Sequence, residues 1–228
     1  MTGNLYIVST PIGNLSDISF RALETFKKVD YIACEDTRIT KKILYHYDIK
    51  SNLIVYNDIN ERKVENKILK SMLNGENVAL VSDAGTPCIS DPGYRLINSC
   101  YKNHIKVLSI PGPSSVIAAL SISGLPTDSF YFFGFLPRKK GRKTKFEILS
   151  QISSTIILFE SPHRVIKTLK DIYEFMGNRV ISICKEITKI HENVFHGHVE
   201  DIIDDFENMS KIKGEYVILI AKKGYVLK

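Results

Sequence analysis

Four short runs in the first half of the chain, Leu5 to Ser9, Tyr31 to Cys34, Val78 to Val81 and Val107 to Ile110, are apolar without regular polar alternation. A strand with one wet face alternates, whereas a strand covered on both faces does not, because every side chain must leave water. The stretches between these runs are amphipathic at helical spacing. Ile18 to Val29 carries Ile18, Leu23, Phe26 and Val29, and Glu61 to Leu73 carries Val64, Ile68, Leu69 and Met72. Strands alternating with helices predict an α/β domain on a mostly parallel sheet.

The pattern changes after the turn-rich Pro111 to Ser115, the apolar helix Val116 to Ile122 and the break at Gly124-Leu125-Pro126. We therefore expect an N-terminal α/β domain over 1–115 and a C-terminal mixed α/β domain over 116–228. In the second, strands are expected at Phe130 to Phe135, Thr155 to Phe159, Val180 to Lys185, Val194 to Gly197 and Tyr216 to Ala221. Helices at His163 to Met176 and Val199 to Phe206 separate only some of them, which calls for antiparallel pairs.

With 44% hydrophobic and 25% charged residues among 228, the chain can build a sizeable core, which excludes a disordered or fibrous protein. The start, MTGNLYIVSTPIGN, enters a strand-like run with no basic leader and apolar core of a secretory signal. No apolar stretch approaches the roughly 20 residues that span a bilayer. A soluble, cytoplasmic protein without membrane contact is expected. Cys34, Cys88, Cys100 and Cys184 form no C-x-x-C pair and are read as reduced, mostly buried thiols. Net charge is +6, and six of the eight residues from Arg138 to Lys145 are cations. Such a segment must be solvated or bound to an anion, so 138–145 is expected as a basic loop, either an RNA-binding element or an inert hairpin tip.

Three glycine- and proline-rich segments follow expected strands: Thr10 to Asn14, Ser82 to Pro87, and Pro111 to Ser115. Ligands of open parallel sheets sit outside the carboxyl ends of the strands, where such loops offer backbone donors, although each alone is equally an ordinary tight turn. None is a G-x-G-x-x-G or Walker phosphate loop, and G-x-S-x-G is absent. His191, His196 and His198 lack the spacing of a metal site, and no metal is expected. Glu35-Asp36-Thr37-Arg38 closes one strand and is either a catalytic cluster or a helix cap. Lys185-Glu186 carries the same ambiguity, as does Glu160-Ser161-Pro162-His163-Arg164.

Taken in order, STPIGNLSD, EDTR, ALVSDAGTPCISDPGY, IPGPSSVIAALSISGLP, FYFFGFLPRKKGR, FESPHR and KEITKIHE resemble the tetrapyrrole methylase superfamily from about Leu5 to Ile220. Within it they are most similar to the branch that methylates a cytidine 2′-hydroxyl in the decoding centre of 16S rRNA. The resemblance implies two α/β domains, a homodimer, and S-adenosyl-L-methionine bound in a cleft between the domains. It places Pro11, Gly13, Ser82, Asp83, Ala84, Thr86, Ile89, Pro111, Gly112, Pro113 and Ser114 at the cofactor from the first domain. From the second it adds Phe133, Glu160, Ser161, Gly214 and Glu215. A ribose hydroxyl attacks only as its proton is lost, so Glu35 and Asp36, then Lys185 with Glu186, are the candidate catalytic groups. Arg38, Arg138, Lys139, Lys140, Arg142, Lys143 and Arg164 are the candidate contacts to 16S rRNA or the small ribosomal subunit. Two departures stand out. Tyr56-Asn57-Asp58-Ile59-Asn60-Glu61 replaces a segment that commonly holds histidines, and the chain stops at Lys228, where many relatives continue into a helical segment. A tetrapyrrole C-methyltransferase and a non-catalytic RNA-binding or ribosome-assembly protein are the alternatives.

Overall fold

The computed structural model describes residues 2–227, which divide into two compact units, the first ending at Ser114 and the second beginning at Ser115.

The first unit alternates β1 (Leu5–Val8), α1 (Phe20–Lys28), β2 (Tyr31–Cys34), α2 (Thr37–His46), β3 (Asn52–Val55), α3 (Glu61–Leu73), β4 (Val78–Val81), α4 (Tyr94–Lys102) and β5 (Val107–Ile110). Its sheet runs β3-β2-β4-β1-β5, and every pairing is parallel. Side-chain parity sorts the helices. Ile32, Cys34, Ala79 and Val81 pack with Ala22 and Phe26 of α1 and Ile43 and Leu44 of α2. Ala33, Val78 and Leu80 face the other way, onto Ile68 and Met72 of α3 and Leu96 and Cys100 of α4. Both faces are therefore covered, which is why β4 is buried at every position. The chain leaving β1 turns to one face and the chain leaving the adjacent β4 turns to the other. That arrangement opens a crevice at the carboxyl ends of the strands.

The second unit starts with α5 (Ser115–Ile122), followed by β6 (Phe130–Phe135), α6 (Arg142–Ser150), β7 (Thr155–Glu160), α7 (Val165–Met176), β8 (Val180–Lys185), β9 (Asn193–His198), α8 (Val199–Glu207) and β10 (Tyr216–Ile220). Its sheet, β6-β7-β10-β8-β9, is mixed: β6 and β7 are parallel and the other neighbours antiparallel. Helices α6, α7 and α8 bury Phe146, Leu149, Leu169, Ile172, Ile202 and Phe206 over Ile156, Leu158, Ile181, Ile183, Ile218 and Ile220. On the opposite face α5 meets the sheet, with the Cys184 thiol 3.7 Å from the Ala119 carbonyl oxygen.

Several elements differ from expectation. Strand β3 is an edge strand with two exposed and two half-buried residues, too weakly apolar to stand out. Helix α4 follows a long loop, with Gly93 at its N-cap providing no side-chain signal. The segment 138–145 is no continuous loop, because α6 starts at Arg142. All four cysteines are free, and only Cys88 is not fully buried. Among the described residues no helix is long and apolar enough to cross a membrane.

Candidate functional site

The three loops at the carboxyl ends of β1, β4 and β5 are bonded into one assembly. Thr10 and Gly85 exchange backbone hydrogen bonds of 2.9 and 3.1 Å, and the Thr10 hydroxyl donates to the Ser82 carbonyl at 3.1 Å. The Thr86 hydroxyl donates to the Pro113 carbonyl at 3.1 Å and lies 3.0 Å from the buried Ser9 hydroxyl. Close approach leaves little room for a side chain here: a Cβ on Gly112 would stand 3.0 Å from Ser9 Cβ. Around this frame Gly13, Ala84, Ile89, Pro111 and Gly112 are exposed, Asp83, Pro113 and Ser114 are half-buried, and Pro11 and Ser82 are buried. Beyond Pro87, Cys88 and Ser90 hold left-handed backbone at φ 70 and 65. Such geometry persists only where surrounding bonds enforce it.

A group of carboxyls lies beside these loops. Asp36 caps α2 through the Arg38 amide at 2.8 Å and takes both oxygens to the Arg38 guanidinium. These bonds hold its pKa down to about 2, which leaves a weak base. Asp36 is thus a helix cap, and Arg38 is paired although its side chain is 86% exposed. Asp83 accepts the Asp36 amide at 3.0 Å, and burial raises its pKa. Burial, reinforced by the charges of Asp83, Asp91 and Asp58, raises Glu35 as well. Asp91 is pushed up to about 6, mainly by burial. Asp91, within SDPG, carries no local signal of this shift, because its burial arises from the fold of the loop. Among the described residues no three His, Cys, Asp or Glu side chains are grouped to hold a metal ion.

In the second unit a buried network runs through the residues expected at cofactor and RNA. The Glu160 side chain is fully buried. It accepts from the Ser161 amide at 2.8 Å and the Thr168 hydroxyl at 2.6 Å, and it pairs with Arg164 at 2.7 Å. Arg142 is 6% exposed and bonds Asp171 at 2.7 Å, Thr168 at 2.8 Å and the Pro137 carbonyl at 3.1 Å. It is therefore an anchor, not an exposed RNA contact: Asp171 of α7 neutralises its charge and the Thr168 hydroxyl and Pro137 carbonyl take its other donors. Arg164 likewise donates to the Leu136 carbonyl at 3.0 Å. Phe133 packs against the core beneath, with the Lys145 ammonium 5.8 Å from its ring. Arg138, Lys139, Lys140 and Lys143 are exposed. Phe135, Leu136, Pro137, Arg138, Ser161, His163 and Arg164 line an open concavity of about 620 Å³.

Lys185 ends β8 and Glu186 follows it in left-handed backbone at φ 51. Glu186 accepts from the Glu215 amide at 2.9 Å and from Lys189 at 2.8 Å, and the Lys189 bond foremost lowers its pKa. A Cβ on Gly214 would stand 2.6 Å from Glu186 Cγ. Glu186 thereby ties this turn to the Lys213-Gly214-Glu215 segment and makes a weak base.

A model of the family described as tetrapyrrole (corrin/porphyrin) methylases matches residues 4–203. The chain is 46% identical over 223 residues to the ribosomal RNA small subunit methyltransferase I of Halalkalibacterium halodurans, spanning 97% of this chain and 77% of that one. It is 44% identical over 221 residues to the protein of the same name from Thermotoga maritima, spanning 97% and 99%. Diphthine synthase shares the fold with a TM-score of 0.77 at 14% identity, over 97% of this chain and 90% of that one. Uroporphyrin-III C-methyltransferase from Thermus thermophilus, complexed with S-adenosylhomocysteine, gives 0.67 at 14% identity, over 95% and 97%.

Proposed function

The chain belongs to the tetrapyrrole (corrin/porphyrin) methylase family and, within it, to the ribosomal RNA small subunit methyltransferase I group; from that premise we propose that it transfers a methyl group from S-adenosylmethionine to a ribose hydroxyl of small-subunit ribosomal RNA. The observation carrying this reading is identity near 45% across almost the whole chain to relatives named for that activity, joined to strand-end loops bonded into one frame.

The residues present fit the cofactor. Exposed backbone at Gly13, Ala84, Pro111 and Gly112 offers hydrogen-bonding groups to its polar ends, and the exposed Ile89 offers an apolar surface. The neighbouring carboxyls Glu35, Asp83 and Asp91 suit a positively charged sulfonium. When bound, the cofactor supplies an electrophilic methyl group. The protein's share is alignment, worth roughly 7–11 kcal/mol at best, and removal of the hydroxyl proton. Of the carboxyls, Asp91 and Glu35 have the raised proton affinity that this task favours, whereas Asp36 and Glu186 are held low by their cations. Arg138, Lys139, Lys140 and Lys143 are the second unit's candidates for phosphate. The finer reading, a cytidine of the decoding centre of 16S rRNA modified in the cytoplasm by a homodimer, is supported by the motifs alone.

The test is transfer of labelled methyl from S-adenosylmethionine to small ribosomal subunits from cells lacking this gene. Stoichiometric label is expected with wild type, and Asp91→Asn should lose about a hundred-fold or more in kcat, the scale of acid–base contributions, beyond any loss in cofactor affinity. Cofactor binding without any transfer to ribosomal RNA overturns the reading.

A further inference from the structure

The concavity beside Phe135 combines two features that serve different parts of one ligand. The first is an aromatic face. The register of β6 against β7 shifts between Phe132 and Gly134. That bulge leaves Phe133 packed against the core, while Phe132 and Phe135 both lie against Phe159, at ring separations of 5.0 and 5.5 Å. A bulge re-aims the side chains that follow it. Phe135 remains 57% exposed, a large apolar ring braced on one side and open on the other.

The second feature is a fixed set of cations. The carbonyls of Leu136 and Pro137 are held by Arg164 and Arg142, which are themselves anchored on Glu160, Thr168 and Asp171. This clamp fixes the chain just before Arg138, Lys139 and Lys140, so their charges issue from a rigid base. Arg138 and the exposed His163 share the concavity with Phe135. A flat ring beside Arg138, unpaired among the described residues, with Lys139 and Lys140 next along the chain, matches a base with its phosphate, and about 620 Å³ lies in the usual range for small-ligand sites. An aromatic face accepts any base, and single-stranded RNA is recognised by stacking splayed bases in this way.

We propose that this concavity is a nucleotide subsite for the single-stranded RNA substrate, with Phe135 stacking one base and Arg138 and His163 facing its phosphate. The proposal rests on the ribosomal RNA reading above and adds the place where the strand is gripped.

Fluorescence anisotropy with a short, labelled single-stranded RNA tests it, alongside calorimetry with S-adenosylmethionine. Phe135→Leu keeps apolar volume and removes the ring. RNA affinity should fall roughly 5- to 150-fold, with no change in salt dependence or cofactor affinity. Phe135→Trp should bind RNA at least as tightly as wild type. Arg138→Ala should lower the slope of log affinity against log salt by about 0.7, the value of one phosphate on a single strand. Unchanged RNA binding by Phe135→Leu overturns the subsite and leaves the enzymatic reading standing. A wild type that binds cofactor but no RNA overturns the ribosomal RNA reading itself. Cytidine monophosphate displacing the strand completely at equal concentration overturns strand recognition in favour of a free nucleotide.

Discussion

Thr86→Val keeps the shape of the side chain and deletes one hydroxyl, the group through which the loops after β1, β4 and β5 meet. Two contacts disappear, one to the Pro113 carbonyl at 3.1 Å and one to the Ser9 hydroxyl at 3.0 Å. At about 1 kcal/mol each, and with the Ser9 hydroxyl left buried and unpaired, the loss should be about 2–3 kcal/mol. The Thr10 and Gly85 backbone pair stays in place, so the strands persist while the crevice loosens. For a chain of this size the first unit should melt roughly 4–10 °C lower. Affinity for S-adenosylmethionine, followed by calorimetry, should fall about ten-fold, as 1.4 kcal/mol of lost preorganisation implies. Ser9→Ala removes only the shared bond, and because both single changes break it, the double variant should fall short of their sum by about 1 kcal/mol. Strict additivity, or a Thr86→Val protein with wild-type melting and affinity, would refute the view that this hydroxyl locks the site.

Two further outcomes follow from the same geometry. Glu160→Gln leaves the partly exposed Arg164 facing a neutral partner at a fully buried position, and the urea transition of the second unit should show about 2–3 kcal/mol less stability, somewhat under the cost of breaking a pair buried at both ends. Asp91 titrates from about 3.8 when unfolded to about 6 when folded, so the native state holds its proton more tightly. Its burial therefore lowers stability progressively as pH rises from about 4 to about 6, and the deficit is constant above that. Two units amount to roughly 3 kcal/mol in full, which solvent screening of this half-buried carboxyl reduces to about 1 kcal/mol. Asp91→Asn should accordingly gain about 1 kcal/mol over wild type at pH 8 and nothing at pH 3, read from urea midpoints at both values.

Much of the fold is legible in local patterns. The buried strand β4 appears as an unbroken apolar run because helices cover both faces of its sheet, and α3 begins and ends where its apolar spacing predicts. What local patterns miss depends on distant partners. Arg142 stands in a run of cations but turns inward because Thr168 and Asp171, 26 and 29 positions away, complete its bonds. Thr86 reaches Ser9 across 77 positions. The elevated proton affinity of Asp91 exists only once its loop folds over it. At Asp36, conversely, the local alternative is the one seen: it caps its own helix, and its bonds to Arg38 lower its proton affinity. The motifs read in order identify the family without any of these contacts, while the division of labour among the carboxyls requires the fold.

The central claim is tested most directly by the chemical position of the transferred methyl group. Small ribosomal subunits labelled by this protein with tritiated S-adenosylmethionine should be stripped to RNA and hydrolysed in alkali. Alkaline cleavage requires a free 2′-hydroxyl, so a methylated ribose protects the bond beside it. Recovery of the label in an alkali-resistant dinucleotide is the predicted result. Label released in a mononucleotide, which places the methyl on a base, would contradict the account.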